Sequence, residues 1–300
     1  MNIRLDQYKI FYQVAKNLSF SKASAALFMT QSAVSQAVKT LENTMDIQLF
    51  VRNSKGVVLT KEGEILYEYV KNALSLIERG ETELRQMQRL EEGELRIGAG
   101  DTISRYLLLK PLEEFNKRYP KIKLHITNRT SRETLEFLKS GRIDLAFVNL
   151  PLEDDAVQTR EYMRVQDIFV AGSRFEGLRN TCLQLEEVAR LPLILLEKIS
   201  NSRRVVEEFM FRQGIAIAPE IELGSHDLLL EFARINLGVS CVTREFSRSY
   251  LESGVLFELQ TQKKLPERSI GICMLRGVRT SYAAAAFLEM LEQQRDKKQD

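Results

Sequence analysis

The chain has 300 residues, 44% hydrophobic and 28% charged, with a formal net charge of +2, three cysteines and two histidines. That length accommodates two or three domains with separate cores. Cys182, Cys241 and Cys273 lack metal or redox spacing, no apolar run reaches a membrane span and no apolar signal region opens the chain, so a cytoplasmic protein without membrane contact is expected.

In chain order, Leu5, Tyr8, Phe11, Ala15 and Leu18 recur at helical spacing and predict a first helix. Two short helices around a tight turn follow. Ser21 is expected to cap the first of them, whose Ala23, Ala25 and Ala26 allow close helix approach, and Thr30 to cap the second. In the second, Val34, Val38, Leu41 and Met45 form an inward stripe. Outside remain Gln31, Ser32, Ser35, Gln36 and Lys39, which offer hydroxyls, amides and one cation but no carboxylate. Such a face suits the major groove, where base edges present paired donors and acceptors and phosphates flank them. Asn-Ser-Lys-Gly at 53–56 supplies a turn between strands over 49–52 and 57–60. Arg52 and Lys55 would sit on this wing, near phosphates or the minor groove. The pattern is a winged helix-turn-helix, with Ser21, Thr30, Gln31, Ser32, Ser35, Gln36, Lys39, Arg52 and Lys55 as candidate DNA contacts. Charge agrees: residues 1–60 carry seven Lys/Arg against three Asp/Glu, whereas residues 61–92 carry five against eight. The excess is modest, so strong binding would need two or more heads acting together.

From Lys61 to Glu91 there is no proline, and Leu66, Val70, Ala73, Ile77, Gly80, Leu84 and Met87 alternate at four and three. This predicts a linker helix with a coiled-coil seam, roughly 45 Å long, that needs a partner helix. From Gly93 strands and helices alternate. Strands are expected over 95–99, 123–127 and 143–149, with helices over 104–118 and 131–140. A second block has strands near 167–171, 192–196, 220–223, 238–243 and 255–259 and helices near 203–213 and 226–236. A last strand over 269–274 and helix over 281–295 should return to the first block, giving two α/β lobes with a ligand cleft between them. The domains are then 1–60, 61–91 and 92–300, with lobe I about 92–162 and 267–300 and lobe II about 163–266. Helix N-termini suit an anion. Asp101-Thr102-Ile103-Ser104, Arg129-Thr130-Ser131 and Ser200-Asn201-Ser202-Arg203 occupy such positions, and His226 stands where it could donate to an acidic ligand. Ordinary capping would favour many of the same residues.

The first 60 residues resemble the DNA-binding domain of the LysR-type transcriptional regulators. The resemblance runs through Phe11, Val14-Ala15, Ser19-Phe20-Ser21-Lys22-Ala23, Ala26-Leu27, Thr30-Gln31, Ala33-Val34-Ser35, Leu41-Glu42, Leu49-Phe50, Arg52 and Leu59-Thr60. Asp46 stands where the family usually has Gly, and Ser32 where it often has Pro. The resemblance implies a bacterial source, a homodimer or dimer of dimers joined by the linker helices, double-stranded DNA as partner and RNA polymerase as a further candidate partner. It also implies a periplasmic-binding-protein-like effector domain. In that domain Thr102, Ile103, Ser104, Thr130, Ser202 and His226 are the candidate effector contacts. A small effector of unknown identity is expected, and no cofactor.

Catalytic readings find little. Gly98-Ala99-Gly100 lacks the third glycine of a dinucleotide loop, and His125 and His226 lack neighbours at metal spacing. The protein is therefore not expected to be an enzyme. The competing reading is a cytoplasmic small-molecule-binding module whose helix-turn-helix end is only a protein contact. It predicts ligand binding without preferred DNA.

Overall fold

The computed structural model describes residues 3–53, 56–87 and 93–296, which fall into two compact units, Met1–Gln88 and Arg89–Asp300. The first unit comprises α1 (Leu5–Asn17), α2 (Phe20–Leu27), α3 (Gln31–Met45), the hairpin β1 (Phe50–Asn53) and β2 (Gly56–Leu59), and α4 (Lys61–Met87). Its core gathers Phe11, Val14, Ala23, Val34, Val38, Leu41, Leu49 and Phe50. Of the predicted stripe on α3, Val34, Val38 and Leu41 are buried and Met45 packs at the edge. Ala25 and Ala26 are exposed, so close approach on α2 rests on Ala23 and Ser24.

One capping expectation is corrected. Ser19, not Ser21, caps α2: its backbone is extended and its hydroxyl accepts from the Lys22 N–H at 3.2 Å. Ser21 lies inside the first turn and is exposed. Thr30 caps α3 as expected, accepting from the Ala33 N–H at 3.2 Å.

The linker helix is more tightly held by its own head than its spacing suggests. Leu66, Tyr67, Val70 and Leu74 pack on the head core, and Tyr67 stacks on Tyr12 at 5.6 Å. Gly63 sets the approach, since a Cβ there would meet the Leu49 carbonyl oxygen at 2.2 Å. Leu66 and Val70 are thus spent within the chain. The apolar face left exposed runs instead through Ile65, Tyr69, Ala73, Ile77 and Gly80. The side chains of Leu84 and Met87 lie outside the described residues, as do residues 88–92.

The second unit is built on one nine-stranded sheet. In order come β3 (Gly93–Ala99), α5 (Asp101–Ile103), a π-helical segment Ser104–Leu108, α6 (Leu109–Arg118), β4 (Ile122–Asn128), α7 (Ser131–Lys139), β5 (Leu145–Asn149) and β6 (Val157–Ala171). Then follow β7 (Cys182–Leu183), α8 (Leu185–Ala189), β8 (Leu193–Leu196), α9 (Asn201–Arg212), β9 (Ile221–Leu223) and α10 (His226–Arg234). Last are β10 (Val239–Thr243), α11 (Arg248–Glu252), β11 (Phe257–Glu258), β12 (Gln260–Thr261), β13 (Glu267–Leu275) and α12 (Tyr282–Asp296). The strand order is β4-β3-β5-β13-β6-β10-β8-β9, with β11 on the end of β6 and β7 paired to β12 apart.

β6 is far longer than the predicted 167–171. Its first part, Val157–Gln166, pairs with β13, and Asp167–Val170 pairs with β10. Thr159-Arg160-Glu161 is exposed throughout in this stretch, so no apolar alternation marks it. β13 pairs with β5 through Ile270–Cys273, so the last strand does return to the first lobe. Alternating residues on these strands feed cores on opposite faces. Phe169, Leu193, Leu195 and Val239 pack with Val206 and Met210 of α9, while Ile168, Val170, Ile194 and Val242 pack with Leu229, Leu230 and Ala233 of α10. In the first lobe Leu95, Ile97, Leu145 and Phe147 meet Phe115 and Phe287.

Candidate nucleic-acid interface and effector cleft

On α3 the residues Gln31, Ser32, Gln36 and Lys39 are exposed and Ser35 is half-buried. The Thr30 and Ser32 hydroxyls lie 3.1 Å apart at the start of the helix. Glu42, on the flank of α3, turns inward: its Oε1 accepts from the Leu49 and Phe50 N–H groups at 2.7 and 3.1 Å. The helix and the wing strand are thereby fixed to one another, and a carboxylate that would repel phosphate is committed to backbone. Ser35, Lys39, Asn43 and Gln48 border an open hollow beside the helix. Sequence reasoning missed two exposed residues at this end: Phe28, 98% exposed, and Met29. Apolar and adjacent to the Thr30 cap, they carry no periodic or polar signal. The Arg52 side chain and all of Lys55 lie outside the described residues.

In the second unit, a cavity of about 200 Å³ gathers the ends of β3, β4, β5, β8 and β9. Its walls include Thr102, Ile103, Thr130 and Ser202, so four candidates from three separate segments meet. Ile103 is 1% exposed and supplies apolar wall rather than a polar contact. Thr130 also closes a capping box on α7: its hydroxyl accepts from the Glu133 N–H and donates to Glu133 Oε2 at 2.7 Å. That hydrogen bond holds the Glu133 carboxyl below its ordinary range. Ser202 lies 3.3 Å from Ser200, hydroxyl to hydroxyl.

Ser104 and His226 are not in this wall. Ser104 opens the π-helical segment, where its Oγ is buried. His226 is 3% exposed, and its Nε2 accepts from the Thr243 N–H at 3.1 Å. Burial pushes its pKa down to about 4, so it is neutral, and it lines the neighbouring pocket rather than this wall. Its place before α10 suggested a free donor, but Leu229 and Leu230 anchor the helix so that its first residue points inward. His125, by contrast, is exposed on β4, 3.7 Å from Glu94.

Asn149 and Asn201 line the cleft, and behind them lies a buried network that sequence reasoning did not single out. Asn201 Nδ2 donates to the Asn149 carbonyl at 2.7 Å, tying α9 to the end of β5. Arg268 donates from Nη1 to Asn149 Oδ1 at 2.5 Å, from Nε to Asp167 Oδ2 at 2.6 Å and from Nη2 to Asp167 Oδ1 at 2.9 Å. Thr243 adds its hydroxyl to Asp167 at 2.9 Å. Arg268 and Asp167 are 3% and 5% exposed, so this pair is buried where β6 and β13 cross between the lobes. A lone Arg beginning a strand gave no sign of it. At the rim Arg129 brings an exposed guanidinium and Glu197 a carboxylate. Opposite, the Tyr106 hydroxyl donates to Asp227 Oδ1 and Arg105 meets Asp227 at 2.8 Å, latching the first-lobe helical run to α10. Burial, with the Asp227 bond, raises the Tyr106 pKa. Among the described residues no group of metal-ligating side chains is assembled, and no helix is long and apolar enough to cross a membrane.

Two family models match. Residues 5–64 fit the model described as "Bacterial regulatory helix-turn-helix protein, lysR family", and residues 88–296 fit the "LysR substrate binding domain". The uncharacterized HTH-type transcriptional regulator YeiE of Escherichia coli (strain K12) is 29% identical over 259 residues, covering 86% of this chain and 87% of that one. Full-length CbnR complexed with its target DNA aligns with a TM-score of 0.63 at 18% identity, over 97% of this chain and 99% of that one. The CcmR regulatory domain of Synechocystis PCC6803 in complex with 2-PG aligns at 0.61 and 21%, over 67% of this chain and 97% of that one. At these identities the two structural likenesses establish fold.

Proposed function

The chain belongs to the LysR family of bacterial regulators, and from that premise we propose how this LysR-type transcriptional regulator divides its work. The head reads DNA with α3, and a small polar or anionic effector in the two-lobe cleft controls it. The observation that carries the first part is the outward face of α3: Gln31, Ser32, Ser35, Gln36 and Lys39 share it, and the nearest carboxylate, Glu42, is turned into the backbone of the wing. Gln31, Ser32, Ser35 and Gln36 read base edges, while Ser21, Thr30, Lys39, Arg52 and Lys55 position the head on phosphates. That CbnR is solved with its target DNA supports this reading.

The effector is small, because the cavity is only about 200 Å³, and its acid or polar group meets Thr102, Thr130 and Ser202 beside the starts of α7 and α9. The 2-PG complex of the CcmR domain supports an anionic effector. Ile65, Tyr69, Ala73 and Ile77 leave α4 with an uncovered apolar face. The protein therefore works as a homodimer, or a dimer of dimers, through α4, which brings two modestly basic heads onto one site. It acts in the cytoplasm and turns over no substrate.

The test replaces Ser35 or Gln36 by Ala and compares binding to the preferred fragment with binding to random duplex. Specific affinity should fall about tenfold or more per lost base contact, with random-duplex affinity nearly unchanged. Equal losses on both would remove α3 as the reading element.

A further inference from the structure

Behind Ser202, between α9 and the sheet, lies a second, smaller pocket of about 20 Å³ lined among others by Asp167, Leu195, Arg203, His226 and Cys241. We propose that it binds one halide-sized anion, held by the Arg203 guanidinium and the His226 ring N–H.

Several buried donors in this wall are unmet. The Arg203 side chain is 1% exposed and uses only Nη2, which meets Glu207 Oε1 at 2.6 Å. Its Nε and Nη1 have no partner among the described residues. His226 accepts at Nε2 from the Thr243 N–H, which assigns the ring proton to Nδ1, and Nδ1 likewise has no partner. Buried donors without acceptors are strongly disfavoured, most of all on a cation. The carboxylate in this wall is committed mainly to the lobe crossing: Asp167 Oδ1 accepts from Arg268 and Thr243 and Oδ2 from Arg268, which leaves one lone pair on Oδ2.

What fills the cavity must therefore accept from several N–H groups at once. A water accepts two hydrogen bonds and brings two hydrogens of its own. Its two lone pairs cannot satisfy Arg203 Nε, Arg203 Nη1 and His226 Nδ1 together, whatever its hydrogens find at Asp167 Oδ2 or the Ser202 hydroxyl. A monatomic anion accepts from every side and donates nothing. The volume admits one or two water-sized guests, which excludes carboxylate, sulfate or phosphate. Chloride is the abundant anion of that size. Ser202 and Leu196 line both this cavity and the effector cleft, so the anion sits one side chain behind the effector.

The test uses the full-length protein without any effector. Crystals soaked in sodium bromide and measured at the bromine edge should show an anomalous peak in contact with Arg203 Nε and Nη1 and with His226 Nδ1. In solution the thermal midpoint should be about 3–5 °C higher in sodium chloride than in sodium gluconate of equal ionic strength, and Arg203→Met should abolish the difference. Oxygen-like density without bromide signal, or a bromide peak only at the cleft rim near Arg129, would overturn the site. Equal midpoints in the two salts would do the same. The bromide result needs no variant, so a misfolded Arg203→Met leaves the proposal fully decidable.

Discussion

Each helix of the reading head ends on a left-handed residue that is not glycine: Leu18 at φ 47°, Phe28 at φ 54° and Asp46 at φ 55°. An L side chain is crowded in that conformation, and Asp only partly escapes. Asp46→Gly should therefore stabilise the head by up to about 1 kcal/mol in urea denaturation, since the cap hydrogen bonds from Asp46 N–H to Glu42 and Asn43 are backbone only. The departure at this position was legible in the sequence. The Ser19 cap was not, because Ser19 and Ser21 both favour capping and only the start of the helix at Phe20 decides between them. The place of His226 was not legible for a related reason: its position before a helix is visible, but the burial that takes it out of the cleft wall is a tertiary matter. Its burial has a consequence in pH. Unfolded, the imidazole titrates near 6.5; folded, near 4, held there mainly by desolvation, against the pull of Asp227 and Asp167 and with Arg268 opposing protonation. Between those values the unfolded chain binds the extra proton. In halide-free buffer this contribution should be whole above about pH 6.5 and lost as pH falls towards 4, roughly 3 kcal/mol in all. Acid denaturation of wild type against His226→Gln isolates it; identical pH slopes would contradict the burial.

At the scale of elements, α3 was readable because its apolar stripe and polar face separate cleanly at helical spacing, and its Thr30 cap is a single local hydrogen bond. The linker was readable as a helix but not in its facing. Two stripes one residue apart, through Leu66 and Val70 and through Ile65 and Tyr69, are both apolar, and only the docking of Leu66, Tyr67, Val70 and Leu74 on the head shows which is taken. The exposed stripe is then the one the proposed dimer would use. Tyr69→Glu combined with Ile77→Glu should convert the dimer to monomer in sedimentation while leaving head stability within about 0.5 kcal/mol, because both side chains are exposed. Changing Val70 instead should unfold the head. An unaltered sedimentation coefficient in the double variant would place the dimer contact elsewhere. The crossing strand β6 was half legible for the opposite reason: Val157–Gln166 is held by pairing with β13, and its own residues carry too little alternation to announce it.

Across the whole molecule, the cleft owes its form to the two crossings between lobes, where Arg268 bridges Asp167, Thr243 and Asn149. Removing one partner leaves a buried charge, so Arg268→Met should cost about 3–5 kcal/mol of second-unit stability, measured by denaturation. Asp167→Asn, which leaves the guanidinium unpaired, should cost a similar amount. The candidate cleft was partly foreseeable: strand ends and helix starts marked Thr102, Thr130 and Ser202, which do converge. Asn149, Arg268 and the bond from Asn201 to Asn149 were not, since these contacts span 25 to 119 positions of sequence. Regulation by this protein depends above all on sequence-specific binding by a pair of heads. The direct measurement is footprinting of the purified protein on genomic fragments, its own upstream region included, with unlabelled competitor at two salt concentrations. A protected, roughly palindromic site that persists against competitor, with half-sites about one helical turn or a multiple of it apart, is the expected result. Binding that disappears with salt and prefers no fragment, with or without added metabolites, would contradict it and leave a small-molecule-binding protein with only phosphate attraction at its head.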